Sequence, residues 1–394
     1  MRIILVTSKL NFLTSGGSIT DTDLKAENLK AMGHDVSALT VYSQNNIINK
    51  TLTYRLIEER FQTRYQLRVQ YHIWKVLKKY SAEADIFHVE GQYMLGAGLY
   101  RWFGGEKPVV LHFNREYFAW RMGSFWKNPV RFFKQRIRYL LERILVPLIA
   151  NKNDHFMFNT PFLRDAFERF GLRYDSPATV MPDFVDEKRL FTGAGTNADE
   201  ALKLRRERND TVQLYATGRL ISEKGFDILI RALATLSGKP DVHLTLGGQG
   251  PEMDRLKKLA EDLGVGNLVS FPGWVTYEQM AKFLSASDVF ILPRWFHEVG
   301  SVILLEAMAF GLPCVVMGGG ALEWLVGRDD LTFNPGDPRD LAKKIEVLVA
   351  DRERRLEFSQ YCRDRFVGTF HIRTLAPQLE SVFTKVVAGS IIDA

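Results

Sequence analysis

Two stretches in the second half of the chain combine charged side chains with glycines. In the first, YATGRLISEKGFDILIRAL, Arg219 and Lys224 lie on the turn between a strand pattern and a helix pattern. Two cations beside the exposed amide groups of such a turn suit a diphosphate. The alternative is a surface loop whose charges pair with Glu223 and Asp227. The residue types alone leave both interpretations open.

The second stretch, RWFHEVGSVILLEAMAFGLP, carries Glu298 and Glu306 on either side of a glycine-serine turn. The intervening helix spans at most ~12 Å, so the two carboxylates are not an adjacent acid and base. Ser301 is a reasonable N-cap, and the helix N-terminus there favours negative charge. Hydroxyl, phosphate, hydroxyl is the order of groups in a nucleotide sugar. The alternative for Glu306 is a solvent-facing glutamate, but its apolar neighbours indicate a buried carboxylate that needs a partner.

Short apolar runs alternate with helical patterns through both halves and must position these residues. Their nearly continuous hydrophobicity indicates strands buried on both faces, as in parallel sheets covered by helices. This repetition predicts an α/β fold with two doubly wound, Rossmann-like domains. The predicted strands are RIILVTS, DVSALTVYS, DIFHVEG, PVVLHFN, DHFMFNT and ATVMPDF, then TVQLYATGRL, VHLTLGGQG, LVSFPGWV, DVFILPRW and PCVVMGGG.

The polar stretch at 182–210 contains glycines and lacks a strand pattern, so we place the domain boundary there. We predict an N-terminal domain over 1–185 and a C-terminal domain over 205–370. The C-terminal helix, about 371–394, is expected to pack back onto the first domain. Because open parallel sheets bind ligands beyond the carboxyl ends of their strands, a cleft between the facing domains is the expected ligand site.

The charge is uneven along the chain. The whole sequence has 52 Lys and Arg against 46 Asp and Glu, and residues 1–200 hold 28 against 21. The basic half predicts an anionic partner. Segment 115–147 is basic, aromatic and amphipathic, which suits an anionic membrane surface, and 55–80 is similar. The alternative is an ordinary surface helix with solvated arginines. No nucleic-acid-binding module is recognised, so we expect no nucleic acid partner.

We expect no targeting signal in this sequence. The apolar run at 3–6 is short and precedes no cleavage site, so we interpret it as a first strand and not as a signal peptide. No apolar stretch approaches the roughly 20 residues of a membrane helix. Cys314 and Cys362 cannot form a disulfide framework and fit a reducing compartment. We expect a cytoplasmic protein that meets the inner face of the cell membrane only peripherally.

In its motifs the chain resembles the GT-B-fold retaining glycosyltransferases of glycosyltransferase family 4 (glycosyl transferases group 1). Over about 212–350 the family's order and spacing are matched by GRLISEKG, LGGQGPEMDRLKKLA, NLVSFPGWV, ASDVFILPRW, EVGSVILLEAMAFGLPCV and GGGALEWL. The N-terminal half resembles it more loosely, through Gly16-Gly17, MGHDV, LHFN and VMPDFVDEKRLF. The resemblance implies retaining transfer of a hexose-type sugar from a UDP- or GDP-linked donor, without a metal or other cofactor. It also implies that the domain over 1–185 binds the acceptor and that the domain over 205–370 binds the nucleotide sugar.

The resemblance also implies roles for individual positions. Arg219 and Lys224 are similar to the pair that neutralises the donor diphosphate, and Glu306 to the glutamate that holds the ribose hydroxyls. Glu298 resembles the glutamate beside the anomeric carbon, and His112 the histidine near the transferred sugar. The implied catalytic residues are therefore Glu298, His112, Arg219 and Lys224. The other implied donor-binding positions are Gly16, Gly17, Gly248, Trp274, Val275, Gly300, Ser301 and Val302.

The chemistry that the resemblance implies needs no dedicated enzymatic base. Arg219 and Lys224 stabilise the charge that develops on the departing diphosphate. The leaving phosphate assists deprotonation of the acceptor. We expect that acceptor to be a glycan or a lipid-linked molecule, in bacterial surface-polysaccharide or glycolipid assembly.

A few positions depart from the family pattern. Val299 and Ser301 stand where glycine is usual, with the glycine shifted to 300, and Asp183-Phe184 replaces the usual Asn-Gly pair. The departures at Val299 and Ser301 keep open a catalytically silent nucleotide-sugar-binding module. A nonhydrolysing nucleotide-sugar epimerase on the same fold is the other alternative.

Several residues imitate sites that we do not predict. Asp21 and Asp23 resemble the metal-binding Asp-x-Asp of the other glycosyltransferase fold, but they lie in a loop that leads into a helix, so no metal site is expected. The glycines of GGQG lack the full dinucleotide fingerprint. His88 and His155 lie in strand patterns, and we interpret both as structural.

Overall fold

A computed structural model describes residues 1–13, 17–62, 66–115, 129–173, 178–208, 211–236, 241–294 and 300–389. The chain forms two compact units. Unit 1 consists of Met1–Phe184 and Leu375–Ala394, and unit 2 of Val185–Thr374.

Unit 1 is built on a seven-stranded parallel sheet. Its strands are β1 Arg2–Thr7, β2 Asp35–Thr40, β3 Arg55–Glu58, β4 Ile86–Glu90, β5 Val109–Phe113, β6 His155–Phe158 and β7 Thr179–Val180. They lie in the order β3-β2-β1-β4-β5-β6-β7. The helices that connect them are α1 Gly17–Ala31, α2 Gln66–Lys79, α3 Met94–Trp102, α4 Pro129–Ala150 and α5 Pro161–Phe170.

Unit 2 is built on a six-stranded parallel sheet. Its strands are β8 Val212–Thr217, β9 Val242–Gly247, β10 Val269–Gly273, β11 Val289–Leu292, β12 Cys314–Met317 and β13 Thr332–Phe333. They lie in the order β10-β9-β8-β11-β12-β13. Its helices are α6 Glu187–Ala194, α7 Ala198–Glu207, α8 Phe226–Ala234, α9 Met253–Asp262, α10 Tyr277–Ala286, α11 Val302–Ala309, α12 Ala321–Val326, α13 Pro338–Ala350 and α14 Arg352–Arg365.

The central strands of both sheets are buried along their whole length. Every residue of β4, β5, β11 and β12 is buried, so both faces of each sheet are covered by helices. This is the environment that continuous apolar runs predict. The prediction of two doubly wound α/β domains is confirmed, and each predicted strand sequence contains a strand of the structure.

Two strands were not predicted. β3 lies at the edge of its sheet, and its two apolar residues, Leu56 and Ile57, stand between the exposed Arg55 and Glu58, so it has no continuous apolar run. β13 is also an edge strand and has only two residues. Sequence patterns of this length are too weak to identify a strand.

The polar stretch between the predicted domains is also helical. α6 begins after Asp186, whose carboxylate accepts a hydrogen bond from the Arg189 backbone amide at 2.9 Å. α7 begins at a capping box formed by Asn197 and Glu200. Because both helices belong to unit 2, that unit starts at Val185 and not at the predicted 205.

The last helix, α15 Ile372–Val387, returns the chain to unit 1. Within unit 1, Glu380 Oε1 lies 2.9 Å from His34 Nε2. The buried Phe383 ring lies 5.8 Å from the His88 ring, centroid to centroid. His88 and His155 are both buried on their strands, in keeping with a structural role.

Candidate functional site

The carboxyl ends of β8, β9 and β10 are joined into one compact edge of the unit 2 sheet. The Gly218 amide donates to the Gly247 carbonyl at 3.1 Å, and the Gly248 amide donates to the Gly273 carbonyl at 2.8 Å. A Cβ on Gly248 would lie 1.9 Å from the Gly218 carbonyl oxygen, so a side chain does not fit there. The GGQG loop therefore packs directly against the turn that follows β8.

That turn carries the two predicted cations. Arg219 is exposed, and Lys224 is half-buried at the end of a short 3-10 turn. A Cβ on Gly218 would lie 3.8 Å from Lys224 Cε, so the lysine side chain passes beside the end of β8. α8 begins directly after Gly225, so the predicted succession of strand, turn and helix is confirmed. Within the described ranges, no ion pair joins Arg219 to Glu223 or Asp227.

The Glu306 carboxylate on α11 is buried, with 6% of the residue exposed. Burial raises the pKa of Glu306 to about 8, while a hydrogen bond from Tyr277 and the charge of Arg189 act in the opposite direction. The Arg189 guanidinium lies 4.3 Å from the centre of the Tyr277 ring. The predicted burial of Glu306 is confirmed, and Tyr277 is its hydrogen-bond partner.

Tyr277 and Arg189 are residues that sequence reasoning missed. Tyr277 is the first residue of α10, directly after the capping box of Thr276 and Gln279. The pattern T-x-x-Q is readable in the sequence and locates this helix start. Arg189 lies in the first turn of α6, inside the stretch that we interpreted as a linker. No sequence pattern connected either residue to Glu306.

The start of α11 differs from the prediction in one detail. Ser301 occupies the N-cap position with an extended backbone, but its side chain makes no capping hydrogen bond. The first-turn amides, beginning with Val302, are therefore not satisfied by that hydroxyl, which is the arrangement that suits an anion. Gly300 directly precedes the N-cap, whereas Glu298 and Val299 lie outside the described residues.

The loop after β10 carries the two residues expected near the base. Trp274 is 67% exposed. Val275 is half-buried, and its Cγ2 would lie 2.9 Å from a Cβ on Gly247. The structure thus brings Val275 to the same sheet edge as Gly248 and places Trp274 at the surface beside it.

In unit 1, His112 lies on β5 and is buried. Its Nδ1 is 3.1 Å from the Lys25 ammonium, and its Nε2 is 3.3 Å from the Met181 carbonyl. Because an ammonium group only donates, Nδ1 accepts and the ring proton lies on Nε2. Burial and the charge of Lys25 lower the pKa of His112. The histidine is therefore neutral, and both its nitrogens already have protein partners.

Lys25 itself is fully buried and pairs with Asp21 at 2.5 Å. Sequence reasoning singled out Asp21 and Asp23 but overlooked this lysine. The expectation that the two aspartates lie in a loop is wrong, because α1 already begins at Gly17. Residues two apart on a helix point in different directions. Accordingly, Asp23 pairs with Lys50 at 2.5 Å, whereas Asp21 pairs with Lys25. Gly16 lies outside the described residues.

The Asp183-Phe184 departure belongs to the same buried group. The Phe184 amide donates to Asp21 Oδ1 at 2.9 Å, and its ring centre lies 5.3 Å from Lys25 Nζ. Burial, and then the charge of Asp21, raise the pKa of Asp183 to about 7. We call Asp21, Lys25, His112, Asp183 and Phe184 the Lys25 network. The substituted pair is therefore tied to the residues around His112.

Comparisons with known proteins agree with this architecture. A family model described as glycosyl transferases group 1 matches residues 199–365, and one described as Glycosyltransferase Family 4 matches 16–189. Sucrose-phosphate synthase from Thermosynechococcus elongatus superposes with a TM-score of 0.73 at 21% identity, covering 98% of this chain and 99% of that chain. At this identity the likeness shows the fold.

Two curated relatives align with part of the chain. The lipopolysaccharide core biosynthesis glycosyltransferase LpsE of Rhizobium meliloti is 37% identical over 55% of this chain and 60% of its own. The GDP-mannose-dependent alpha-(1-6)-phosphatidylinositol monomannoside mannosyltransferase of Mycobacterium tuberculosis is 27% identical over 60% of this chain and 63% of its own. Each alignment spans less than two thirds of the relative. Because the two family models together match most of the sequence, the chain belongs to glycosyltransferase family 4, whose fold is GT-B.

Proposed function

We propose that the protein is a retaining glycosyltransferase that moves a hexose-type sugar from a nucleotide-diphosphate sugar to a glycan or lipid-linked acceptor. The observation that carries the proposal is the unit 2 sheet edge, where Arg219 and Lys224 lie on the turn that packs against Gly248 at the carboxyl end of β8. Two cations at the carboxyl end of a parallel sheet, in the same unit as a helix start that the Ser301 side chain does not cap, suit a diphosphate.

In this proposal the donor binds with its diphosphate at Arg219 and Lys224. The bond between the anomeric carbon and the phosphate oxygen breaks, and the two cations stabilise the charge left on the phosphate. The acceptor oxygen bonds to the anomeric carbon, and its proton passes to the leaving phosphate. Glu306 accepts hydrogen bonds from the ribose hydroxyls. Tyr277, its partner in the structure, positions the carboxylate.

Lys224→Ala and Glu306→Ala test this assignment. We expect each to reduce sugar transfer at least a hundredfold, in the range typical of lost transition-state contacts, without loss of the fold. Lys257→Ala, an exposed lysine on α9, is the matched control and should keep wild-type turnover. Near-normal transfer by Lys224→Ala would overturn the assignment.

A thermal-shift panel of UDP-, GDP-, ADP- and CMP-sugars identifies the donor, because a ligand that binds only the native state raises apparent stability. With that donor alone, formation of an epimer would indicate an epimerase instead. Binding without transfer to any acceptor or to water would indicate a silent binding module. Transfer with the anomeric configuration kept supports the proposal.

We also propose that the acceptor is presented at an anionic membrane surface. Among the described residues no helix could cross a bilayer. However, α4 exposes an apolar row, each residue at least half exposed, at helical spacing: Ile137, Leu140, Leu141, Ile144 and Leu148. The basic Lys134, Arg136 and Arg143 on the same helix are exposed as well. Apolar and basic side chains together suit a bilayer interface. Much of segment 115–147, at 116–128, lies outside the described residues.

Flotation with phosphatidylglycerol vesicles tests the membrane part. The wild-type protein should float with the vesicles at low salt and less at high salt. Leu141→Glu with Ile144→Glu should abolish flotation. Leu204→Glu, a 55% exposed leucine of unit 2, is the control and should float normally. Equal flotation of all three proteins would contradict the proposal.

A further inference from the structure

Unit 1 contains a half-open cavity of about 440 Å³, lined by residues of the basic segment 55–80. One wall is the segment at 59–62, which directly follows the carboxyl end of β3. The other wall is one face of α2. The volume is within the range of small-molecule sites, and the carboxyl side of a parallel sheet is where such sites form. We call it the basic cavity.

The side chains that line the basic cavity carry an excess of positive charge. Among the described lining residues, Arg60, Arg68, Lys75 and Lys79 are basic, and the acidic one is Glu59. Glu59 is already engaged, because it pairs with Lys79 at 2.7 Å. In the part of the chain that the structure describes, neither Arg60 nor Lys75 has a carboxylate within ion-pair distance. Like charges gathered in a concave site attract anions.

The cavity combines two apolar residues, Phe61 and Val76, with the exposed His72. Phe61 and Val76 are buried, each 5% exposed, and the Phe61 ring lies 4.8 Å from the His72 ring. A bilayer surface needs apolar side chains that project outward. Leu67 and Tyr71 of α2 do so, but neither lines the cavity, where the apolar Phe61 and Val76 are buried. A ligand that fits carries anionic groups and a compact apolar face. A phosphorylated sugar has both.

We propose that the basic cavity binds a phosphorylated saccharide. Arg60 and Lys75 contact the phosphate, and the Phe61 and His72 rings contact the sugar ring. That this saccharide is part of the acceptor rests on the proposed function; the binding itself does not. The site therefore selects acceptors by phosphate groups away from the hydroxyl that receives the new sugar.

Isothermal titration of the full chain with glucose 6-phosphate, with glucose as the uncharged comparison, tests the proposal. We expect the phosphate ester to bind more tightly than glucose, and binding to weaken with salt. Arg60→Glu with Lys75→Glu should weaken binding about tenfold or more. Lys78→Glu, an exposed lysine on the same helix outside the cavity, is the matched control and should bind normally.

Three results with soluble glucose and glucose 6-phosphate would overturn the proposal. They are equal binding of glucose and its phosphate, unchanged binding by the Arg60→Glu, Lys75→Glu variant, and loss of glucose 6-phosphate binding in Lys224→Ala, which would place the ligand at the donor turn. Binding of phosphatidylglycerol vesicles through Arg60 and Lys75 without binding of the sugar phosphate would also overturn it, in favour of a membrane surface. Sugar transfer from the donor is measured in a separate experiment. A lack of transfer would count against the proposed function but would not affect the binding of glucose 6-phosphate to the basic cavity.

Discussion

At the scale of single residues, the Lys25 network is the least expected feature of the molecule. A fully buried ammonium lies between the Asp21 carboxylate and the His112 ring. Removing one partner of a buried pair leaves the other charge uncompensated, and this costs more than the pair itself contributes. The position of the His112 ring therefore depends on the Lys25–Asp21 ion pair beside it.

Lys25→Met tests that dependence. We expect a loss of ~3–5 kcal/mol in the free energy of unfolding, because Asp21 remains buried without its cation. Lys30→Met, on the exposed face of the same helix and 4.0 Å from Asp35, should change stability by less than about 0.5 kcal/mol. Melting temperatures of the two variants provide the comparison. If both melt like the wild type, the pair does not support unit 1.

Glu306 gives a prediction about pH. Burial raises its pKa to about 8, above the 4.5 of the unfolded chain. Between these values the unfolded state releases a proton that the folded state keeps, so stability falls as pH rises, by up to ~1.4 kcal/mol per pH unit. Glu306→Gln should remove this loss, so its advantage in melting temperature over the wild type should grow from pH 5 to pH 8. The exposed Glu261→Gln is the control. Parallel pH profiles of Glu306→Gln and the wild type would contradict the shifted pKa.

At the scale of elements, the strand ends of unit 2 make the candidate site. The GGQG loop and the turn after β8 approach so closely that Gly248 has no room for a side chain. Gly247 lies beside Val275, and Gly218 lies beside Lys224. The close contact between the two loops therefore keeps Val275 near Lys224. A substitution there should therefore affect both the fold and the ligand.

Gly248→Ala tests the close approach. Its Cβ would clash with the Gly218 carbonyl, so we expect a marked drop in melting temperature and loss of donor binding. Gly264→Ala is the control, because Gly264 also has a positive φ, of 70°, but its Cβ would meet nothing within 4 Å. It should cost only ~1–2 kcal/mol and leave donor binding intact. If the two variants lost similar amounts of stability and donor binding, the positive φ of the glycine, and not the contact with Gly218, would account for the effect of Gly248→Ala.

These elements also show which parts of the fold and the candidate site could be predicted from the sequence. Continuous apolar runs located the central strands, and the glycine turn before α8 located Arg219 and Lys224. The edge strand β3 escaped because exposed charged residues at both of its ends leave only two apolar residues between them. Tyr277 escaped because its partner Glu306 is far away in the chain. Lys25 has a local partner, Asp21, four residues earlier, but its burial beside the distant His112 has no local signal. Periodicity reports local burial but not which distant residue a polar group meets.

At the scale of the whole molecule, the chain does not divide into two consecutive halves. α15 is the last described helix, yet its later turns belong to unit 1. Phe383 is completely buried there, whereas Val387 on the same helix is 41% exposed. The last helix is therefore part of the core of the first unit.

Phe383→Ala tests this arrangement. We expect a loss of ~3–5 kcal/mol, as for other large aromatic residues removed from a core, and a lower melting temperature. Val387→Ala, the control, should change stability by less than about 0.5 kcal/mol. A wild-type melting curve for Phe383→Ala would mean that α15 contributes nothing to unit 1.

The central claim concerns where the donor lies. The most direct measurement is a crystal structure of the protein with the nucleotide sugar that the thermal-shift panel selects. We predict density for the diphosphate within hydrogen-bond distance of Arg219 and Lys224, and for the ribose hydroxyls against Glu306. A nucleotide sugar bound anywhere else on the chain, with these three side chains untouched, would contradict the claim.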